Sequence, residues 1–392
     1  MTSKDAQLVV ASLSTGEPNK GQVHHLSNLS DTERNQKYGI GNIDMPSTIT
    51  AGESVTITFQ ITIGEIELPT NARLRIAWRW PFDWGDLQTS NSDAPNHLSI
   101  KSPEHVQIDT LYEKRGDLNP WHHDIDFHIT EGTLQTGDTL HVTCTNWQAP
   151  TFTTDDGNFL LLINPDNSNN WMRLTDSPRF TIAPGEAKRL VAIAPADGTV
   201  GEQTIIRIRA LDAWENATPI SAPTLQGDGI EIDQPTLNDQ FPVWEYPVTW
   251  TSPGVHRLQA QANNLTTESN PTRVYTQSPK HRIYWGDLHG GQTEIGCGAG
   301  SLDHHYAYAR HVAALQYTSQ QANDHYVTKA IWDLVREVTP NHNIEGKFLA
   351  FLGCEWSPYT KDGGDRNVIY AQDEPRMRRS DRFFTEVNPD PE

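Results

Sequence analysis

The chain has 392 residues with 50 acidic against 30 basic side chains, a formal net charge of -20. Such a surface repels nucleic acid and anionic membranes, and no run of the chain approaches transmembrane length, so neither is expected as a partner. The length exceeds one ordinary core and predicts two or three domains, while a hydrophobic fraction of 36% with 12 Trp fits β-sandwiches with wide polar faces better than helical bundles.

The segment 1–39 opens the chain. Met1 to Lys20 shows no basic region followed by an apolar core, which predicts an unexported, cytoplasmic protein. The three cysteines, Cys144, Cys297 and Cys354, are far apart and odd in number, which fits a reducing compartment better than a disulfide framework. Cys297 lies in a Gly-rich loop and Cys354 directly precedes Glu355. Each can be read as a nucleophile, but a small buried side chain is the preferred reading.

Residues 40–183 read as all β. Val55, Ile57, Phe59, Ile61 and Ile63 alternate with Thr56, Thr58, Gln60 and Thr62, the pattern of a half-buried antiparallel strand. Leu74, Ile76, Trp78 and Trp80 oppose Arg73, Arg75 and Arg79 in the same way. Leu140, Val142 and Cys144 follow a turn at Thr136-Gly137-Asp138. This is the pattern of an immunoglobulin-like β-sandwich. Trp78, Trp80, Phe82 and Trp84 resemble a sugar-stacking platform, and His122, His123 and His128 a metal cluster. Alternate tryptophans on one strand face are more often core, and histidines without a carboxylate or Cys at fixed spacing are more often ordinary surface groups. Pro184-Gly185 interrupts the pattern, and residues 184–277 then read as a second, smaller sandwich through Leu190, Ile206, Ile208, Val255 and Val274.

From 278 to 392 the pattern changes. Arg282-Ile283-Tyr284-Trp285-Gly286-Asp287-Leu288-His289-Gly290-Gly291 reads as a short buried strand that delivers an acid and an imidazole at its end. Gln316-Tyr317-Thr318-Ser319 leads to Asn323-Asp324-His325, and the run 348–354 leads to Glu355-Trp356-Ser357. Between these strands lie helical patterns over 302–315, with Ser301 as N-cap, and over 327–338, ending before Pro340. Strand, helix, strand, helix, strand is the order of a parallel sheet. His289, Asp324, His325 and Glu355 then gather at its strand ends, oxygen and imidazole donors of the kind a hard divalent ion needs. Asp287 would orient an imidazole or bind directly, and Asp365 is a further ligand candidate. Glu294 is close enough to His289 to serve as another. Gly296-Cys297-Gly298-Ala299-Gly300-Ser301 opens a helix, either as an anion cradle or as a plain turn. Arg366 either clamps a phosphoryl oxygen or pairs with Asp362.

Gly286-Asp287-Leu288-His289, Asn323-Asp324-His325, Gly353-Cys354-Glu355-Trp356-Ser357 and Gly363-Gly364-Asp365-Arg366-Asn367-Val368 together resemble a large bacterial family related to the polymerase and histidinol phosphatase (PHP) superfamily. Trp78-Arg79, Asp83-Trp84, Asn119-Pro120-Trp121 and Asp212-Ala213-Trp214-Glu215-Asn216 extend the likeness upstream more loosely. The resemblance implies a distorted TIM-type α/β barrel of about seven strands, incomplete here because only three strand-and-helix units and a hairpin over 367–370 precede Glu392. It implies phosphoester hydrolysis at a cluster of divalent metal, which would be zinc, manganese or iron. Asp287, His289, His325, Glu355 and Asp365 would be ligands, and Asp324 and Arg366 catalytic. The opening motif of that superfamily is His, any residue, His, and the second position here is Gly291.

The fold expected from the sequence is therefore multidomain, two immunoglobulin-like β-sandwiches followed by an incomplete PHP-like α/β barrel. The function expected is a metal-dependent hydrolase acting on a small-molecule phosphoester and impaired in this truncated form. The alternative is a non-catalytic binding or scaffold protein whose sandwiches bind a partner or glycan.

Overall fold

A computed structural model of the chain describes residues 22–24, 29–114, 116, 118, 121–168, 170–174, 178–293, 295–296, 298–327, 329–358, 363–371 and 375–380. Antiparallel sheet dominates them. In the first unit a six-stranded sheet places Arg73–Trp78 between Leu160–Asn164 and His123–Glu131, and a four-stranded sheet places Ser54–Ile63 between Gly39–Asp44 and Thr139–Gln148. Along Ser54–Ile63 every second residue is buried, from Val55 to Ile63. Ile57, Phe59 and Ile61 from one sheet meet Ile76, Trp78 and Phe127 from the other in one apolar core, the arrangement of a sandwich.

The opposite face of the Arg73–Trp78 strand, read as polar, is also covered. Arg75 and Arg79 are almost fully buried, and the Arg75 guanidinium lies 4.2 Å from the Trp171 ring centroid. Its charge is met by Asp126 at 2.5 Å and Asp124 at 3.6 Å. A buried guanidinium needs such partners, because desolvation otherwise outweighs what packing returns. Trp78, Phe82 and Trp84 are core residues, not a stacking platform, while Trp80 lies beyond the strand end and is exposed.

The second unit is a smaller sandwich. Its main sheet runs Arg189–Ile193, Gln203–Leu211, Val243–Trp250, Ile230–Ile232 in space, and its core holds Ile206, Ile208, Tyr246, Val248, Trp250, Leu258 and Val274. Val255, expected inside, is on the surface.

The expected α/β barrel is not present among the described residues. Gly286–Gly291, Tyr317–Gln320 and Leu349–Phe351 form an open three-stranded parallel sheet. The helices Leu302–His311 and Lys329–Val338 pack in one apolar cluster with Phe348, Ala350 and Leu352, which leaves Leu349, the alternate residue, half exposed. The next strand, Gly353–Trp356, pairs antiparallel with Arg366–Ile369 and ends the parallel progression. Closing a barrel takes about eight strands tilted into a continuous hydrogen-bonded ring, and three parallel strands followed by a hairpin do not curl that far. The reading of 282–291 as a buried strand is corrected as well. Gly286–Gly291 lies at the edge of its sheet, and Ile283, Tyr284 and Trp285 before it are exposed.

The three units are tied together by directed hydrogen bonds. Arg79 of the first donates to the carbonyls of Gly296 and Gly298 at 3.0 and 2.9 Å. Asn216 of the second donates to Thr151 O of the first at 2.9 Å. Arg282 meets both oxygens of Glu202 at 2.7 and 2.8 Å, a fork-to-fork pair across the junction of the second and third units.

Candidate functional site

The ends of the parallel strands bring His289 and Glu355 together, with His289 Nε2 at 3.9 Å from Glu355 Oε1. His289 Nδ1 is 2.6 Å from Asn367 Oδ1. Glu355 is buried, and its Oε2 accepts hydrogen bonds from the side-chain amides of Asn323, at 2.6 Å, and Gln292. Asn323 also donates to Ser357 Oγ at 2.9 Å. Burial pushes the Glu355 carboxyl above the usual carboxylate range. His289 and the Gln292 amide pull it back, and Asp365 and Asp324 push it further up.

Asp324 is wholly buried. Burial works against its charge, but the nearby His325 and hydrogen bonds from Ser380 and the Ser357 amide outweigh that and hold its carboxyl below the ordinary value. Oδ1 accepts from Ser357 N at 3.1 Å and Oδ2 from Ser380 N, so this carboxylate pins the Glu355 loop to the 375–380 segment. His325 Nδ1 lies 3.7 Å from Asp324 Oδ1, and its ring sits tilted against Tyr326 with centroids 4.4 Å apart. Asp287 turns back on its own strand and accepts from His289 N at 2.8 Å. Asp365 is exposed. The Arg366 guanidinium sits 5.3 Å from the Trp356 ring centroid and donates to Gly364 O. Glu294, Cys297 and Asp362 lie outside the described residues.

The metal centre expected from Asp287, His289, His325, Glu355 and Asp365 is not assembled among the described residues, where Asp324 and Arg366, expected to be catalytic, make the contacts given above. Among the described residues no group of three or more His, Cys, Asp and Glu side chains is placed to hold a metal ion. Glu355 Oε2 is engaged by two amides while its Oε1 lies 3.9 Å from His289 Nε2, and Asp324 is committed to backbone N–H groups. The described residues thus show no assembled site for the divalent metal that the resemblance implies. Cys354 is buried, and burial pushes its thiol up to about 12, which disfavours the thiolate that a nucleophile needs. Sequence reasoning missed Gln292, Asn323, Ser357, Asn367 and Ser380 as partners of these groups. Three of them, Asn323, Ser357 and Asn367, stand within the quoted motifs, but an uncharged side chain carries no signal until its neighbours are known.

A different surface lies on the other side of this unit. Between the second sandwich and the segment entering Gly286–Gly291, a groove of about 570 Å³ is lined by Val255, Tyr275, Ile283, Trp285 and Leu315. Val255, Ile283 and Trp285 are 63%, 60% and 62% exposed. Trp285 is anchored through its backbone, N to Gln316 Oε1 at 2.6 Å and O from Gln316 N at 2.8 Å, so its ring is held at the surface by fixed main chain.

No family model matches the chain. It is similar to an uncharacterised protein of Chlamydia pneumoniae, 22% identical over an alignment of 363 residues that covers 84% of this chain and 56% of that protein. The chain thus spans little more than half the length of that relative. Among solved structures, Yersinia pseudotuberculosis InvD matches over 63% of this chain and 58% of its own at 16% identity, TM-score 0.29. The Escherichia coli adhesin FdeC matches over 61% and 64% at 12% identity, TM-score 0.27. TM-scores this low fix neither arrangement nor function. No helix of the described residues is long and apolar enough to cross a membrane.

Proposed function

We propose that the protein is a non-catalytic binding module whose second sandwich and adjoining α/β unit together take a protein partner presenting apolar side chains. The observation that carries this reading is the exposed row Val255, Ile283 and Trp285 along one groove. An apolar side chain of this size left in water forfeits roughly 1.5–3 kcal/mol of burial, and contiguous apolar surface around a groove marks interaction sites. Large aromatic side chains held on rigid backbone are effective anchors, since little conformational freedom is lost when they are covered. The polar strand ends support the same reading, because Asp287, Asp324 and Glu355 Oε2 accept internal hydrogen bonds.

Selection from a random peptide library displayed on phage tests it. The intact protein is expected to enrich peptides rich in aromatic and aliphatic residues, and the folded Trp285→Ser and Val255→Ser variants to lose them. Failure to enrich any peptide, or equal retention by both variants, overturns the reading.

A further inference from the structure

A second cleft, of about 790 Å³, lies where all three units meet. Thr153, Thr154 and Asp155 come from the first unit, Asp239 and Phe241 from a loop of the second, and Arg310 from the Leu302–His311 helix of the third. That helix packs on the outer face of the second sandwich, where His311 stacks on Phe241 at 6.3 Å and lies 3.0 Å from Asn238 Nδ2.

The charges at this junction do not balance. Glu245 is shared by Arg207, at 3.1 Å, and His311, at 3.3 Å. Arg310, beside them and partly buried, makes no hydrogen bond or ion pair among the described residues. Burial, with Arg207 adding to it, weakens the hold of Arg310 on its proton, against the pull of Glu245. A partly desolvated guanidinium without a partner is a ready receptor for a carboxylate, which it holds through two parallel hydrogen bonds. The cleft also carries acids. Asp303 is taken by His342 at 2.8 Å, but Asp155 and Asp239 face it as hydrogen-bond acceptors. They repel a multiply charged anion such as a phosphate more strongly than a single carboxylate, and they accept from sugar hydroxyls. Burial pushes His304 below its ordinary value, so at neutral pH it is an uncharged donor and acceptor.

We propose that this cleft binds a sugar bearing one carboxylate, a uronic acid residue. Its carboxylate sits on Arg310, its hydroxyls on Asp155, Asp239 and the threonines, and its apolar face along Phe241. The site is separate from the apolar groove.

Ligand-observed NMR titration of the intact protein at pH 7 tests this with methyl glucuronide, methyl glucoside and inorganic pyrophosphate. The glucuronide is expected to bind at least about tenfold more tightly than the glucoside, and pyrophosphate not at all. Arg310→Gln is expected to weaken the glucuronide by about tenfold to a hundredfold, the range for losing a charged hydrogen bond, and to leave the glucoside unchanged. Arg310→Lys, which keeps the charge and loses the fork, should fall between. No glucuronide binding by the wild type, pyrophosphate binding as tight as glucuronide, or full affinity in folded Arg310→Gln overturns the proposal.

Discussion

The ring of His305 occupies the space in front of Gly291: a Cβ at Gly291 would lie 2.2 Å from His305 Cε1 and Nδ1. The helix thus returns an imidazole to the place where a His-x-His motif would have put its second one. Gly291→Ala is expected to force the buried ring aside and destabilise the protein by about 1–3 kcal/mol, the usual cost of overpacking. Urea denaturation measures it, and an unchanged midpoint refutes the steric account.

His305 also predicts a pH dependence. Burial, opposed by Asp287, pushes its imidazole down to about 4. Between that value and about 6.5 the unfolded chain binds a proton that the folded chain refuses. Stability is therefore lost as pH falls from about 6.5, by up to about 3 kcal/mol when pH reaches 4. The His305→Gln variant should show a shallower decline over this window than the wild type. Parallel curves would mean that His305 takes up its proton without unfolding.

Arg75→Met should be the most damaging of the arginine substitutions. It leaves Asp124 inside without the guanidinium and Asp126 with Arg73 alone, at a cost of about 3–5 kcal/mol. Arg189→Ala breaks a pair whose side chains are both more than half exposed and should cost less than about 1 kcal/mol. Thermal unfolding of the two variants side by side is the check. A similar shift for both would remove the distinction between buried and exposed pairs drawn here.

Glu355 is an acid whose carboxyl is raised in the folded state, so its ionised form is the less favoured one there. Its penalty is absent at low pH and appears as pH rises through the carboxylate range and above. Glu355→Gln, which keeps an oxygen for the Asn323 and Gln292 amides, should raise the melting temperature at pH 7 and lose that advantage as pH falls toward 4. A variant less stable at pH 7 than at pH 4, relative to wild type, would show that the charge itself holds the site together.

Period and capping made much of this protein legible from its residues alone. The alternation through Val55, Ile57, Phe59, Ile61 and Ile63 marks a strand because a pleated backbone sends successive side chains to opposite faces. Ser301 starts its helix by accepting from His304 N at 3.1 Å, a contact settled within four residues. Tertiary structure alone decided which faces are covered. Arg75 and Arg79 went inside because Trp171 and the carbonyls of Gly296 and Gly298 arrive from nearly 100 and over 200 residues away. Val255, Ile283 and Trp285 stayed outside because no described element packs over them. The strand-end acids and imidazoles followed the same rule. His289 finds Asn367 across 78 residues, and Glu355 finds Gln292 across 63. Residue types and spacing named the titratable groups but not the amides that neutralise their chemistry, since a hydrogen-bond partner is set by where distant backbone comes to rest. Barrel closure depends likewise on how many strands share one ladder, a property of pairing across the chain and not of any local pattern.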